Sequence, residues 1–197
     1  MTDLFQEPDD ATPLDPDERQ GLKQTWITSR RDLNEAEQEN IVNGAAWARN
    51  RRQRNRNILN EDFAKILHKR MFGDVWDWAG TFRRTERNIG VEPHRIVNDV
   101  GMMFDDMRYW VEYGTFPPDE LAVRLHHRLV AIHPFANGNG RHARLMADLL
   151  IERLGGQPFT WGGGTLHDVG ELRAAYIAAL RAADNHDLGP LLEFARP

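Results

Sequence analysis

Residues 118–154, PDELAVRLHHRLVAIHPFANGNGRHARLMADLLIERL, hold two apolar-periodic segments separated by a short loop of glycines and asparagines. The first opens with Pro118, Asp119 and Glu120, the residue types a helix favours in its first turn. Leu121, Leu125, Leu129 and Ile132 then fall on one helical face. Pro134 disfavours a helical conformation in the residue before it, so the helix stops at His133. The second segment runs from about Gly140 to Leu154, and Gly155-Gly156 ends it. Leu145, Met146, Leu149, Leu150 and Leu154 make a stripe wide enough for a central, mostly buried helix.

The same reading extends outward. Helical periodicity is found from about Leu33 to Asn57 (Ile41, Ala45, Ala48) and from Asn60 or Glu61 to Met71 (Phe63, Ile66, Leu67). It returns over 97–113 (Val100, Met103, Met107, Trp110, Val111), 166–183 and 190–195. Trp76, Trp78 and Trp110 read as core packing. Residues 81–96, TFRRTERNIGVEPHRI, lack a 3.6-residue period and carry Asn88, Gly90 and Pro93, which predicts a short hairpin or extended flap. Residues 1–20 contain seven acids and three prolines, so residues 1–32 read as an extended acidic arm ahead of one domain over 33–197. The fold class expected is all-α: a helical bundle with a small β-hairpin.

Composition narrows the function. With 197 residues, 41% hydrophobic and 28% charged, the chain suits one well-buried domain. There is no cysteine, which excludes disulfides, thiolate metal sites and a cysteine nucleophile. No apolar run approaches the roughly 18 residues of a membrane span, and the acidic amino end is no secretory signal. The compartment expected is the cytoplasm, with no membrane partner. A net charge of −5 argues against a protein that coats nucleic acid. The run Arg49, Arg51, Arg52, Arg54 and Arg56 spreads around a helix and reads as a solvated, partly paired face.

The chemistry concentrates in HPFANGNGRHAR, 133–144. Gly138 and Gly140 give the backbone freedom to turn successive N–H groups toward an anion, with the dipole of the following helix behind them. Asn139 would add a side-chain donor. Arg141 and Arg144 stand in a first helical turn, where cations oppose the macrodipole by roughly 0.3–1 kcal/mol each. A bound polyphosphate would reverse that sign. His133, with an ordinary pKa near 6.5, suits a general base. His126, His127, His133 and His142 come with no HExxH pairing or acidic ligand, which argues against zinc.

At these residues the sequence resembles the Fic family, whose signature is HPFx(D/E)GNGRxxR, and within it the group called mobile mystery protein B. The stretch Gly80–Gly90, GTFRRTERNIG, is similar to the family's target-aligning flap, which makes Arg84, Thr85, Glu86, Arg87, Asn88, Ile89 and Gly90 docking candidates. The resemblance implies transfer of AMP from ATP to a Ser, Thr or Tyr hydroxyl of a target protein. His133 would take the hydroxyl proton. Asn137, Gly138, Asn139, Gly140 and Arg141 would hold phosphates, and Arg144 the γ-phosphate end. The family's Asp or Glu ligand for Mg²⁺ (or Mn²⁺) is Asn137 here, a neutral and weaker ligand. An inhibitory (S/T)xxxE(G/N) helix finds a partial match ending Glu39-Asn40, with Glu35 at the Ser/Thr position. Glu39 is expected to pair with Arg144, with Glu37 as the alternative. A regulatory partner and self-association fit this scheme. The competing reading is a nucleotide-binding regulator that transfers nothing or uses another donor.

Overall fold

The computed structural model describes residues 16–163 and 169–197. Its elements are helices: α1 (Pro16–Arg19), α2 (Arg30–Arg49), α3 (Glu61–Phe72), α4 (Ile96–Tyr113), α5 (Pro118–Ile132), α6 (Asn139–Arg153), α7 (Val169–Asp184) and α8 (Gly189–Ala195). The all-α expectation holds. Among the described residues β pairing is confined to two isolated antiparallel bridges, Leu22 with Trp76 and Phe82 with Phe135. The expected hairpin ladder therefore does not form, and the flap is an extended loop ending in a 3₁₀ turn at Pro93–Arg95.

Local chemistry sets the boundaries. Helix α2 starts at Arg30, earlier than its apolar period suggests, because Ser29 and Asp32 form a capping box. Asn60 caps α3 by accepting from the Phe63 N–H at 2.8 Å. Helix α4 ends on Gly114, which takes the left-handed conformation at φ 58°. The arginine run starts with the last residue of α2, Arg49, which pairs with Glu152 at 2.8 Å, and continues past its end, where Arg51, Arg52 and Arg54 are exposed.

Helix α6 lies at the centre: it packs chiefly along α5 and also touches α2 and α3, while α7 and α8 pair with each other and close against α5. Phe63, Leu67, Met71 and Phe72 of α3, Met103 and Met107 of α4, Leu125 of α5 and Met146 of α6 fill the core. Within the stretch expected to be an extended arm, residues 1–32, Ile27 is buried and residues 21–23 pair with residues 75–77. Residues 1–15 lie outside those described.

Candidate active site

Everything the loop needs comes from the way α5 ends. His133 caps α5 in the left-handed region, φ 54°, while its N–H still bonds the Leu129 carbonyl at 3.0 Å. A histidine in this conformation is strained, and Pro134 keeps it from continuing the helix. The ring is buried, and Nδ1 faces the protein interior without a partner at hydrogen-bond geometry. Burial, and next the Arg83 guanidinium, push His133 down to about 4. At neutral pH the imidazole is uncharged.

Beyond it the chain turns sharply. Gly138 sits at φ 79°, and a Cβ there would meet the Phe72 ring at 2.5 Å, so glycine is required twice over. The first N–H to enter the α6 ladder is that of His142, bonded to the Gly138 carbonyl at 2.9 Å. The N–H groups of Asn139, Gly140 and Arg141 thus head the helix without intrahelical acceptors, as an anion site demands. The Asn139 side chain does not join them. Its Oδ1 accepts from the Phe135 N–H at 2.9 Å and its Nδ2 donates to the Phe135 carbonyl at 2.8 Å, so it pins the loop from below. The amide expected to be a free side-chain donor is thus engaged by the Phe135 backbone.

The two arginines of the first turn have different surroundings. Arg141 donates to Glu37 of α2 at 2.7 Å and to Asn137 Oδ1 at 3.2 Å, and lies over the Phe72 ring. Arg144 is half-buried over the Tyr176 ring of α7 and makes no ion pair among the described residues. Burial lowers its pKa. The expected Glu39–Arg144 pair is therefore not formed. Glu39 points to the exposed side of α2, whereas Glu37 is buried and also accepts from Trp76 Nε1 at 2.7 Å. A two-residue change on a helix turns a side chain by about 200°, which is why only one of these acids reaches the loop.

Three residues that sequence reasoning missed hold this arrangement. Arg83 is buried and clamps the flap: Nε donates to the His133 carbonyl at 2.7 Å, Nη1 to Thr85 O at 2.9 Å and Nη2 to Val91 O at 2.5 Å. With the backbone bonds Arg83 N–H to Pro134 O and Val91 N–H to Ile132 O, both ends of the flap are tied to the chain on either side of His133. His68 on α3 accepts from the Gly80 N–H at Nδ1, 3.0 Å, so its Nε2 carries the proton and donates to Asn137 O at 3.0 Å. Tyr176 bonds His126 Nε2 at 3.0 Å and supports Arg144. Nothing in the sequence separates Arg83 from Arg84; the distinction is burial. The docking candidates Arg84, Thr85, Glu86, Asn88, Ile89 and Gly90 are exposed, while Arg87 is half-buried.

Among the described residues no group of three or more His, Asp or Glu could hold a metal ion on protein ligands alone. Asn137 Oδ1 already accepts from the Gly138 N–H at 2.5 Å as well as from Arg141. Nor is any helix of the described residues long and apolar enough to cross a membrane.

A helical bundle with an anion-ready helix start and a histidine-led loop is one class of protein. Residues 58–151 match the model of the Fic/DOC family. The chain is 30% identical over 132 residues to protein adenylyltransferase Fic of Drosophila grimshawi, covering 65% of this chain and 26% of that protein. It is 32% identical over 136 residues to protein adenylyltransferase fic-1 of Caenorhabditis elegans, covering 65% of this chain and 25% of the relative. The matched part thus spans about a quarter of those relatives. Among solved structures, C. elegans Fic-1 (residues 134–508) superposes with TM-score 0.61 and 28% identity over 89% of this chain and 55% of that one.

Proposed function

We propose that the chain transfers AMP from ATP to a Ser, Thr or Tyr hydroxyl of a target polypeptide bound along Arg84–Gly90. The observation that supports this best is the adjacency of an uncharged, left-handed His133 to a helix start with free N–H groups and a half-buried arginine, Arg144, with no carboxylate partner among the described residues. The relatives named as adenylyltransferases supply the reaction class.

In this reading His133 takes the proton of the target hydroxyl as its oxygen attacks the α-phosphorus. The bond between the α-phosphorus and the bridging oxygen breaks in line, and pyrophosphate leaves with the electron pair. The histidine is pre-set in the form that can accept a proton, and the negative charge of a bound nucleotide would raise its pKa from about 4 toward neutrality. The N–H groups of Asn139 and Gly140 face the phosphates, and Arg144 takes the terminal one. Such transfers depend on positioning and charge neutralisation more than on covalent help. Asn137 serves as a brace for Arg141 and Gly138 rather than as a metal ligand, and no step is assigned to a metal here. In the resting state Glu37 holds Arg141 away from the phosphates, and this carboxylate, rather than Glu39, is the inhibitory one.

Incubation with α-labelled ATP and a cell lysate, alongside equilibrium nucleotide binding, tests the proposal. Label on a protein, lost on hydroxyl-directed phosphodiester cleavage, is the expected result. Nucleotide binding without transfer, also after release of Glu37, would leave the regulator reading, which the engagement of Asn137 with Arg141 favours.

A further inference from the structure

The flap is not empty-handed in this structure. The segment Pro16–Lys23 is fixed against residues 73–78 and brings Glu18 onto the flap. Lys23 N–H bonds Val75 O and Asp77 N–H bonds Gly21 O, each at 2.9 Å. The Lys23 ammonium reaches Gly73 O at 2.7 Å. Gly21 packs so tightly that a Cβ would lie 2.3 Å from Asp77 Oδ1 and 2.6 Å from the Trp78 ring. The Trp78 indole then donates to the Glu18 carbonyl at 3.0 Å, which places the Glu18 side chain over the flap. There the carboxylate accepts from the Thr85 hydroxyl at 3.2 Å and from the Arg87 guanidinium. The pair is desolvated: the Arg87 side chain is only 3% exposed, whereas Ile89, two residues on, is 45% exposed.

An arginine buried against a carboxylate is a selective contact, because the guanidinium fork matches that group and a neutral partner would leave the charge uncompensated. The ends of the flap are tied to the body through Arg83, Pro134 and Ile132. A target strand laid along the flap must meet Arg87 where Glu18 now sits. We infer that the amino-terminal segment is an internal occupant of the target-docking flap, and that Glu18 stands in for an Asp or Glu beside the acceptor hydroxyl of the target. The inference rests on the transferase reading for the word target, but its chemistry, an acidic polypeptide on Arg87 and Thr85, does not require transfer.

The test uses the full chain and two readouts that need no turnover. In Glu18→Ala and Glu18→Arg, hydrogen exchange of the amides at 84–90 should rise by about tenfold or more, the factor that corresponds to about 1.4 kcal/mol. The swap Glu18→Arg/Arg87→Glu should restore slow exchange. A fluorescent peptide carrying Asp and Glu next to a serine should bind Glu18→Ala more tightly than the unmodified chain, while its Asn/Gln counterpart gains nothing. Unchanged flap exchange in both single variants, or equal gains for acidic and neutral peptides, would overturn the inference. Peptide selectivity without any AMP transfer would sink the transferase reading alone.

Discussion

Glu37 offers the most decisive perturbation, because two of its substitutions separate structure from regulation. Its side chain is 7% exposed and its Arg141 partner 35% exposed, at 2.7 Å, with Trp76 Nε1 on the other carboxylate oxygen at 2.7 Å. In Glu37→Gln the amide oxygen keeps the indole bond and only the charged bond is lost. A charged hydrogen bond contributes roughly 1.5–3 kcal/mol. Water can reach Arg141, so about 1–2 kcal/mol is expected after that discount. Glu37→Ala also strands the buried indole N–H, a further 1–3 kcal/mol or so. At roughly 2–4 °C per kcal/mol for a chain of this size, Gln should lower Tm by about 2–8 °C and Ala by about twice that. Arg141, no longer held, becomes free for phosphate, which corresponds to about 5- to 30-fold tighter nucleotide binding in both variants. Thermal unfolding together with a fluorescent-ATP titration reads both quantities. Glu39→Gly, on the exposed side of α2, should change nucleotide affinity little. Loss of stability in Glu37→Gln with no gain in affinity would show that this glutamate merely fastens α2 to Trp76, and the inhibitory role would fall.

His133→Asn keeps a residue that tolerates φ 54° while removing the base, so transfer should drop by a hundred- to ten-thousand-fold with nucleotide affinity nearly unchanged; single-turnover labelling checks it, and near-normal turnover would remove His133 from its role. Gly138→Ala forces a Cβ against Phe72 in a left-handed turn and should destabilise by about 1–3 kcal/mol and abolish nucleotide binding, read by denaturant unfolding and titration. His126, His133 and His142 are held at about 3, 4 and 4 against an ordinary 6.5, chiefly by burial. Between those values the unfolded chain binds protons that the folded chain refuses. Stability should therefore fall as pH drops below about 6.5, by on the order of 2 kcal/mol for each histidine at pH 5; a flat unfolding free energy from pH 7 to 5 would contradict the burial argument.

How much of this was legible beforehand depended on the range of the interaction. The helices announced themselves through local signals: Asn60 before Glu61, Pro118 with Asp119, Pro134 after His133. Where a boundary slipped, as at the start of α2, a capping box lay just outside the apolar period. The loop's chemistry was equally local, since glycine at 138 and arginine at 141 and 144 carry their meaning in spacing. What sequence could not supply was the partner of each charge. Whether Glu37 or Glu39 reaches the loop depends on the rotation of α2 about its axis, which is set by Leu33 and Asn40 packing inward and by Asn40 bonding Arg70 O and Asp74. Arg83 and His68 were silent for the same reason: both act through backbone carbonyls distant in sequence.

Asn137 shows how those long-range partners change the meaning of a motif position. Read alone, an amide where the family has a carboxylate is a weakened metal ligand. In the fold, its oxygen bridges the Gly138 N–H and Arg141, and Arg141 in turn is shared with Glu37. A carboxylate at 137 beside Glu37 would set two anions on one guanidinium, and like charges at such range repel. The neutral amide lets the motif arginine serve a brace and an acid from another helix at once. The missing charge at 137 and the buried charge at 37 are therefore one feature: the negative group facing Arg141 has moved from the loop to α2. There it is carried by a separate helix, whereas a carboxylate at 137 would belong to the turn itself.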